Sequence, residues 1–133
     1  MKAFYKTLRT GAPTSTTAVN PEGWSTLMAP ILAAGQDLLI LAFSSGLSST
    51  YAAAVLAAQE LAPQYPGRTI RVVDTLCASM GQGLLVYHAV QRQQAGESLA
   101  QVADFVEATK LHLCRSHCRR GHHAENQAGA PCG

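Results

Sequence analysis

The stretch LLILAFSSGLSSTYAAAVLAAQEL, Leu38 to Leu61, decides the fold. Its unbroken apolar start, Leu38 to Phe43, predicts a buried strand, because a strand with one wet face carries a polar residue at every second position. Ser44-Ser45-Gly46-Leu47-Ser48-Ser49-Thr50 then supplies small hydroxyls and one glycine, and the alanine-rich run Thr50 to Leu61 has strong helix propensity. Strand, polar turn and helix in that order aim backbone N–H groups and the positive end of a helix dipole at one point. An anion is the natural occupant of that point.

Upstream, Phe4, Tyr5 and Leu8 recur at helical spacing, so Lys2 to Arg9 reads as a short amphipathic helix ended by Gly11 and Pro13. A hydroxyl-rich loop follows, with Thr14 to Thr17 consecutive, and Asn20-Pro21-Glu22 reads as an N-cap, a first helical position and a first-turn acid. Trp24, Leu27, Met28, Ile31 and Leu32 make one helical stripe, expected to face the core, which Gly35 closes. Downstream, Thr69 to Asp74 is a β-branched second strand, and the small, polar segment Thr75 to Gly83 leads into a helix expected over Leu84 to Ala95. Ser98 caps a last helix whose Leu99, Val102, Phe105 and Val106 face inward. Strands alternating with helices imply an α/β fold, a parallel sheet with flanking helices, in which the ligand crevice lies beyond the carboxyl ends of the strands. Both polar turns sit at such ends.

Composition removes several function classes. A net charge of +2, with only 14% of residues charged, gives no basic surface for nucleic acid. No apolar run approaches the roughly eighteen residues of a bilayer span, and Met1 to Thr10 lacks the apolar core of a signal peptide, so a cytoplasmic location is expected. Three of the four cysteines, Cys114, Cys118 and Cys132, fall in the last twenty residues, which is no disulfide framework.

Catalytic groups are sparse: His88 lies within a helix, Asp74 has no evident partner in sequence, and no nucleophile elbow, Walker loop or dinucleotide fingerprint is present. The expectation is a binding protein and no enzyme, with neither metal nor cofactor. Neutral hydroxyls and amides without Lys or Arg in either turn suit a single carboxylate better than a multiply charged phosphate, and the Ala/Leu/Val-rich helices offer an apolar enclosure behind it. The same serines also suit a plain helix cap with no ligand, and spacing alone does not choose between the two.

At these residues the chain resembles a known family. Thr16-Thr17-Ala18 with Asn20-Pro21, Phe43-Ser44-Ser45-Gly46-Leu47-Ser48-Ser49-Thr50-Tyr51, and Val72-Val73-Asp74-Thr75 with Ser79-Met80-Gly81-Gln82-Gly83 are similar to the N-terminal domain of the DegV family over about Met1 to Cys114. The resemblance implies binding of one long-chain fatty acid, such as palmitate, through its carboxylate. It also implies a role in lipid transport or fatty acid metabolism, with a fatty acid kinase as partner in some members. It places the carboxylate on Thr16 of the first loop and Ser48 of the second, with Ser45, Gly46 and Thr17 completing the cradle.

The departures from the family pattern are definite. Thr17-Ala18 replaces Ser-Gln, and Ser49 replaces a glycine suited to positive φ. The chain begins after the family's first strand, and similarity stops after Leu111-His112-Leu113-Cys114. The expected organisation is therefore a partial domain, 1–114, and a disordered or out-of-frame tail, 115–133. The alternatives are an inert fragment and a zinc-binding tail built on His112, Cys114, His117, Cys118, His122, His123 and Cys132, which lacks a second ligand pair at zinc-site spacing. Shifting the reading frame of the coding DNA after Cys114 is expected to restore family-like sequence; a frame that restores none refutes the truncation.

Overall fold

The computed structural model describes residues 2–113. Their elements are α1 (Lys2–Arg9), α2 (Pro21–Ala33), β1 (Leu38–Ala42), α3 (Thr50–Leu61), a 3₁₀ turn (Ala62–Gln64), β2 (Ile70–Asp74), α4 (Ser79–Gln94) and α5 (Leu99–Leu113). β1 and β2 pair in parallel, from Leu38 opposite Ile70 to Ala42 opposite Asp74, with α3 as the crossover.

Alternate strand residues serve two cores. Leu38, Ile40, Ile70 and Val72 pack with Met28 and Leu32 of α2 and Ala54, Ala57 and Leu61 of α3. Leu39, Leu41 and Val73 point the other way, into Leu85 and Ala89 of α4 and Val102 and Val106 of α5. The period-2 alternation of a strand thus gives both faces an apolar partner, and the result is an α/β fold, a parallel sheet with helices on each side.

The ladder also defines the free edges. Leu38 N donates to Thr69 O and Thr75 N to Ala42 O, so β1 pairs through its even-numbered residues and β2 through its odd-numbered ones. The carbonyls of Leu41 and Asp74 therefore face outward, on opposite edges. Each meets a side chain from a helix: Gln82 Nε2 donates to Leu41 O at 3.0 Å, and Lys110 Nζ to Asp74 O at 3.0 Å. Two donors from α4 and α5 close the site end of a sheet that has only two strands among the described residues.

Several expectations hold in detail. Asn20 caps α2, its side chain accepting from Gly23 N at 2.8 Å. Ser98 and Gln101 form a reciprocal capping pair before α5: Ser98 N donates to Gln101 Oε1 at 2.8 Å and Gln101 N to Ser98 Oγ at 3.4 Å.

Others are corrected. α4 starts at Ser79 instead of Leu84, since the hydrogen bond from Gln82 to Leu41 outweighs the low helix propensity of Gly81 and Gly83. Within α2 only Met28 and Leu32 are buried, and Leu27 and Ile31 are exposed because they turn away from the face that α3 covers. Strand β1 ends at Ala42 and is only half-buried along most of its length, as the edge of a narrow sheet must be. Of the tail's expected zinc ligands His112 lies exposed in the last turn of α5, and those from Cys114 onward, like the expectation for the tail itself, lie outside the described residues.

Leu85 has no exposed surface, whereas its neighbour Leu84 stands on the outer face of α4 with Met80, Val86, Tyr87 and Val90. Leu85→Ala is expected to destabilise the fold by about 2–4 kcal/mol and Leu84→Ala by under about 1 kcal/mol. Urea denaturation followed by circular dichroism checks the contrast.

Candidate functional site

The carboxyl ends of both strands open into the two polar turns, and one side chain joins them. Asp74, the last residue of β2, accepts on its Oδ1 from Ser45 N at 3.1 Å and from Leu76 N at 3.0 Å. Ser45 follows β1 and Leu76 follows β2, so the carboxylate bridges the turn after β1 to the turn after β2. Ser44 adds a second link through N–H to Cys77 O at 3.1 Å, and buried Thr75 a third through Oγ1 to Ala42 O at 2.7 Å. Cys77 is buried in the same turn.

This fastening puts backbone strain beside the crevice. Leu76 and Ser79 have φ of 54° and 49°, in the left-handed region that non-glycine residues rarely occupy. By contrast, Ser49, standing where a glycine was expected to matter, has φ −72° and ψ 0°. No positive φ is required there, and the serine costs the turn nothing.

The first turn is organised by Ser44 O, which accepts from Leu47 N at 3.1 Å and Ser48 N at 3.2 Å. Ser48, half-buried, directly precedes Ser49, the N-cap of α3: its Oγ accepts from Thr50 N at 3.2 Å and lies 2.8 Å from Thr50 Oγ1. A serine oxygen has two acceptor positions and one proton. When Thr50 donates to it, both acceptor positions are filled and the Ser48 proton is left for an outside acceptor. In that arrangement holding the Thr50 amide and donating to a ligand are compatible in one hydroxyl.

The predicted residues fare differently. The Ser45 amide is taken by Asp74, so it is not a donor to a ligand, and only its exposed hydroxyl is available. Among the described residues the Gly46 amide meets no protein acceptor, and a Cβ there would come within 3.6 Å of Ser44 Oγ. Thr16 and Thr17 lie exposed in the segment that leads to the Asn20 cap. One contact draws that segment's end toward the turn after β1: Trp24 Nε1, in the first turns of α2, donates to Thr50 O at the start of α3 at 3.2 Å. The helices that follow the two hydroxyl loops thus begin side by side. Among the described residues no group of three or more His, Cys, Asp or Glu is arranged to hold a metal ion, and no helix is long and apolar enough to cross a membrane.

Sequence reasoning missed three members of this end of the molecule: the partners of Asp74, the reach of Lys110 from α5, and Gln82. The one available signal was the position of Asp74, a carboxylate at a strand's end directly before a polar turn.

The fold defines an α/β domain with two hydroxyl-bearing polar turns at the strand ends, and comparison with known proteins gives its family. Residues 1–115 match a family model described as "Uncharacterised protein, DegV family". A DegV domain-containing protein of Clostridium perfringens is 39% identical over 136 residues, covering 97% of this chain and 47% of that protein. Among solved structures, a DegV lipid-binding protein from Thermotoga maritima superimposes with a TM-score of 0.72 at 28% identity, over 84% of this chain and 38% of that one. A DegV family protein from Thermus thermophilus, described for its fatty acid binding, gives 0.66 at 34% identity, over 82% and 38%. The chain belongs to the DegV family. It spans about half the length of the Clostridium relative and less than two-fifths of the two solved chains.

Removing the Asp74 carboxylate is expected to loosen both turns. Asp74→Ala leaves two amides without their acceptor and is expected to cost about 1–3 kcal/mol, while Asp74→Asn keeps an acceptor oxygen and costs less. Amide hydrogen exchange at Ser45 and Leu76 reads the effect locally: both amides are expected to speed up in the alanine variant.

Proposed function

We propose that this chain binds a long-chain fatty acid such as palmitate through its carboxylate, with Thr16 and Ser48 as the principal donors. The Ser45 hydroxyl, the Gly46 amide and Thr17 complete the cradle. The observation that carries the reading is the placement of Ser48: a half-buried hydroxyl beside the start of α3 that accepts from Thr50 N and lies 2.8 Å from Thr50 Oγ1, and whose proton is left for an anion when the Thr50 hydroxyl donates to it. The link from Trp24 to Thr50, which seats the starts of α2 and α3 together, supports the approach of the Thr16 loop. The fatty acid binding of the Thermus thermophilus relative, at 34% identity, supports the ligand class.

A carboxylate held by neutral hydroxyls keeps its charge and its outward oxygen. That suits a carrier in lipid transport or fatty acid metabolism, with any chemistry on the headgroup performed by a partner such as a fatty acid kinase. In this reading residues 1–114 form the binding portion and 115–133 take no part.

Delipidated protein mixed with palmitate and examined by native mass spectrometry is expected to show one bound acid per chain. Ser48→Ala and Thr16→Val are each expected to weaken binding by about ten-fold or more, the worth of one hydrogen bond to a charged group. Failure of the unaltered chain to retain palmitate overturns the reading in favour of an inert fragment.

A further inference from the structure

The end of α5 sits against the turn after β2. Lys110 Nζ donates to Asp74 O at 3.0 Å, Leu113 packs on the core cluster that contains Cys77, and Cys77 Sγ lies 3.9 Å from Lys110 O. Cys77 is 1% exposed, and its carbonyl accepts from Ser44 N at 3.1 Å, so its backbone belongs to the tie between the two polar turns. Helix register says which residue shares the Lys110 carbonyl with the Cys77 sulfur. In α2, α3 and α4 the residue directly after the helix donates its N–H to the carbonyl four residues back: Ala34 to Pro30 O, Ala62 to Ala58 O and Ala95 to Gln91 O. The residue directly after α5, four on from Lys110, is Cys114. An amide bonded to the Lys110 carbonyl stands about 3 Å from it and hence within about 7 Å of Cys77 Sγ, a span that a disulfide with its two Cβ atoms covers.

From this register we infer that Cys77 and Cys114 are a thiol pair that closes reversibly to a disulfide, fastening the turn after β2 to the end of α5. Cys114 lies outside the described residues, and its part in the pair follows from the register of α5. The oxidant is a low-molecular-weight disulfide of the oxidised-glutathione class. Cys77 is buried and closed to it, so exchange begins at Cys114: the Cys114 thiolate attacks one sulfur, the S–S bond of the small disulfide breaks and one thiolate leaves. Cys77 then gives its proton to solvent and attacks the Cys114 sulfur, expelling the second thiolate. The chain loses two electrons and two protons, and the small disulfide becomes two thiols. The closed loop restrains the unfolded chain, and in the folded state it pins a turn whose Leu76 already holds φ 54°.

The test uses the full chain, reduced with dithiothreitol, desalted and incubated with oxidised glutathione. Trypsin separates the candidates, since Cys77 falls in the peptide Val72 to Arg92, Cys114 in Leu111 to Arg115, Cys118 in Ser116 to Arg119 and Cys132 beyond Arg120. Mass spectrometry without reductant is expected to show a chain lighter by two hydrogens, with the Cys77 and Cys114 peptides joined. Thermal unfolding is expected to shift upward by about 10 °C on oxidation and to return when dithiothreitol is added. Cys114→Ser is expected to lose both the link and the shift, and Cys118→Ser combined with Cys132→Ser to keep both. Where Cys114→Ser fails to fold, Cys114→Ala carries the same comparison. Cys77 joined to the Cys118 or Cys132 peptide, bonds formed only between chains, glutathione retained on the chain with no internal link, or a link without a thermal shift each overturn the inference.

Discussion

One carboxylate oxygen holds the functional end of this domain together. Asp74 Oδ1 accepts the amides of Ser45 and Leu76, residues that belong to different strand–helix turns. Hydrogen bonds to a charged acceptor are stronger than neutral ones, and here two of them converge where no strand ladder continues. The consequence is twofold. The turns are fixed relative to each other, and the Ser45 amide, which a bare strand–turn–helix would offer to an anion, is already occupied. In the proposed site the hydroxyl set, above all Ser48, and the Gly46 amide then face the ligand.

The sheet makes this arrangement possible. Two strands are a minimal platform, and a parallel pair is stable only when helices cover both faces. Met28, Leu32, Ala54, Ala57 and Leu61 cover one face, and Leu85, Ala89, Val102 and Val106 the other. The helices also finish the sheet at its site end, through Gln82 on the β1 edge and Lys110 on the β2 edge. Packing and polar chemistry are thus supplied by the same helices: α4 and α5 fill the core with one face and reach the strand ends with another.

The parts legible in the amino-acid sequence are those decided locally. The apolar run Leu38 to Ala42, the alanine-rich helix from Thr50, the Asn20 cap and the Ser98 cap each depend on residues within a turn or two of one another. The hydroxyl-rich turn at Ser44 to Thr50 was visible for the same reason. What escaped depends on distant partners. The Ser45–Asp74 bond spans 29 residues, Lys110–Asp74 spans 36 and Gln82–Leu41 spans 41. The last of these carries the helical start of α4 through two glycines that local propensity would leave as loop. Leu76 at positive φ gives no signal at all in sequence, since nothing about a leucine marks the left-handed region.

The family relationship gains physical content from these details. In the turn after β1, Ser49 stands where a glycine was expected and leaves the backbone unstrained, with φ −72° and ψ 0°. The most direct measurement of the central claim is a high-resolution crystal structure of the delipidated chain soaked with palmitate. The account predicts a palmitate carboxylate within hydrogen-bond distance of Ser48 Oγ, with Ser45 N still donating to Asp74 Oδ1. A headgroup that displaces Asp74 from the Ser45 amide, or that binds away from Ser48, contradicts it.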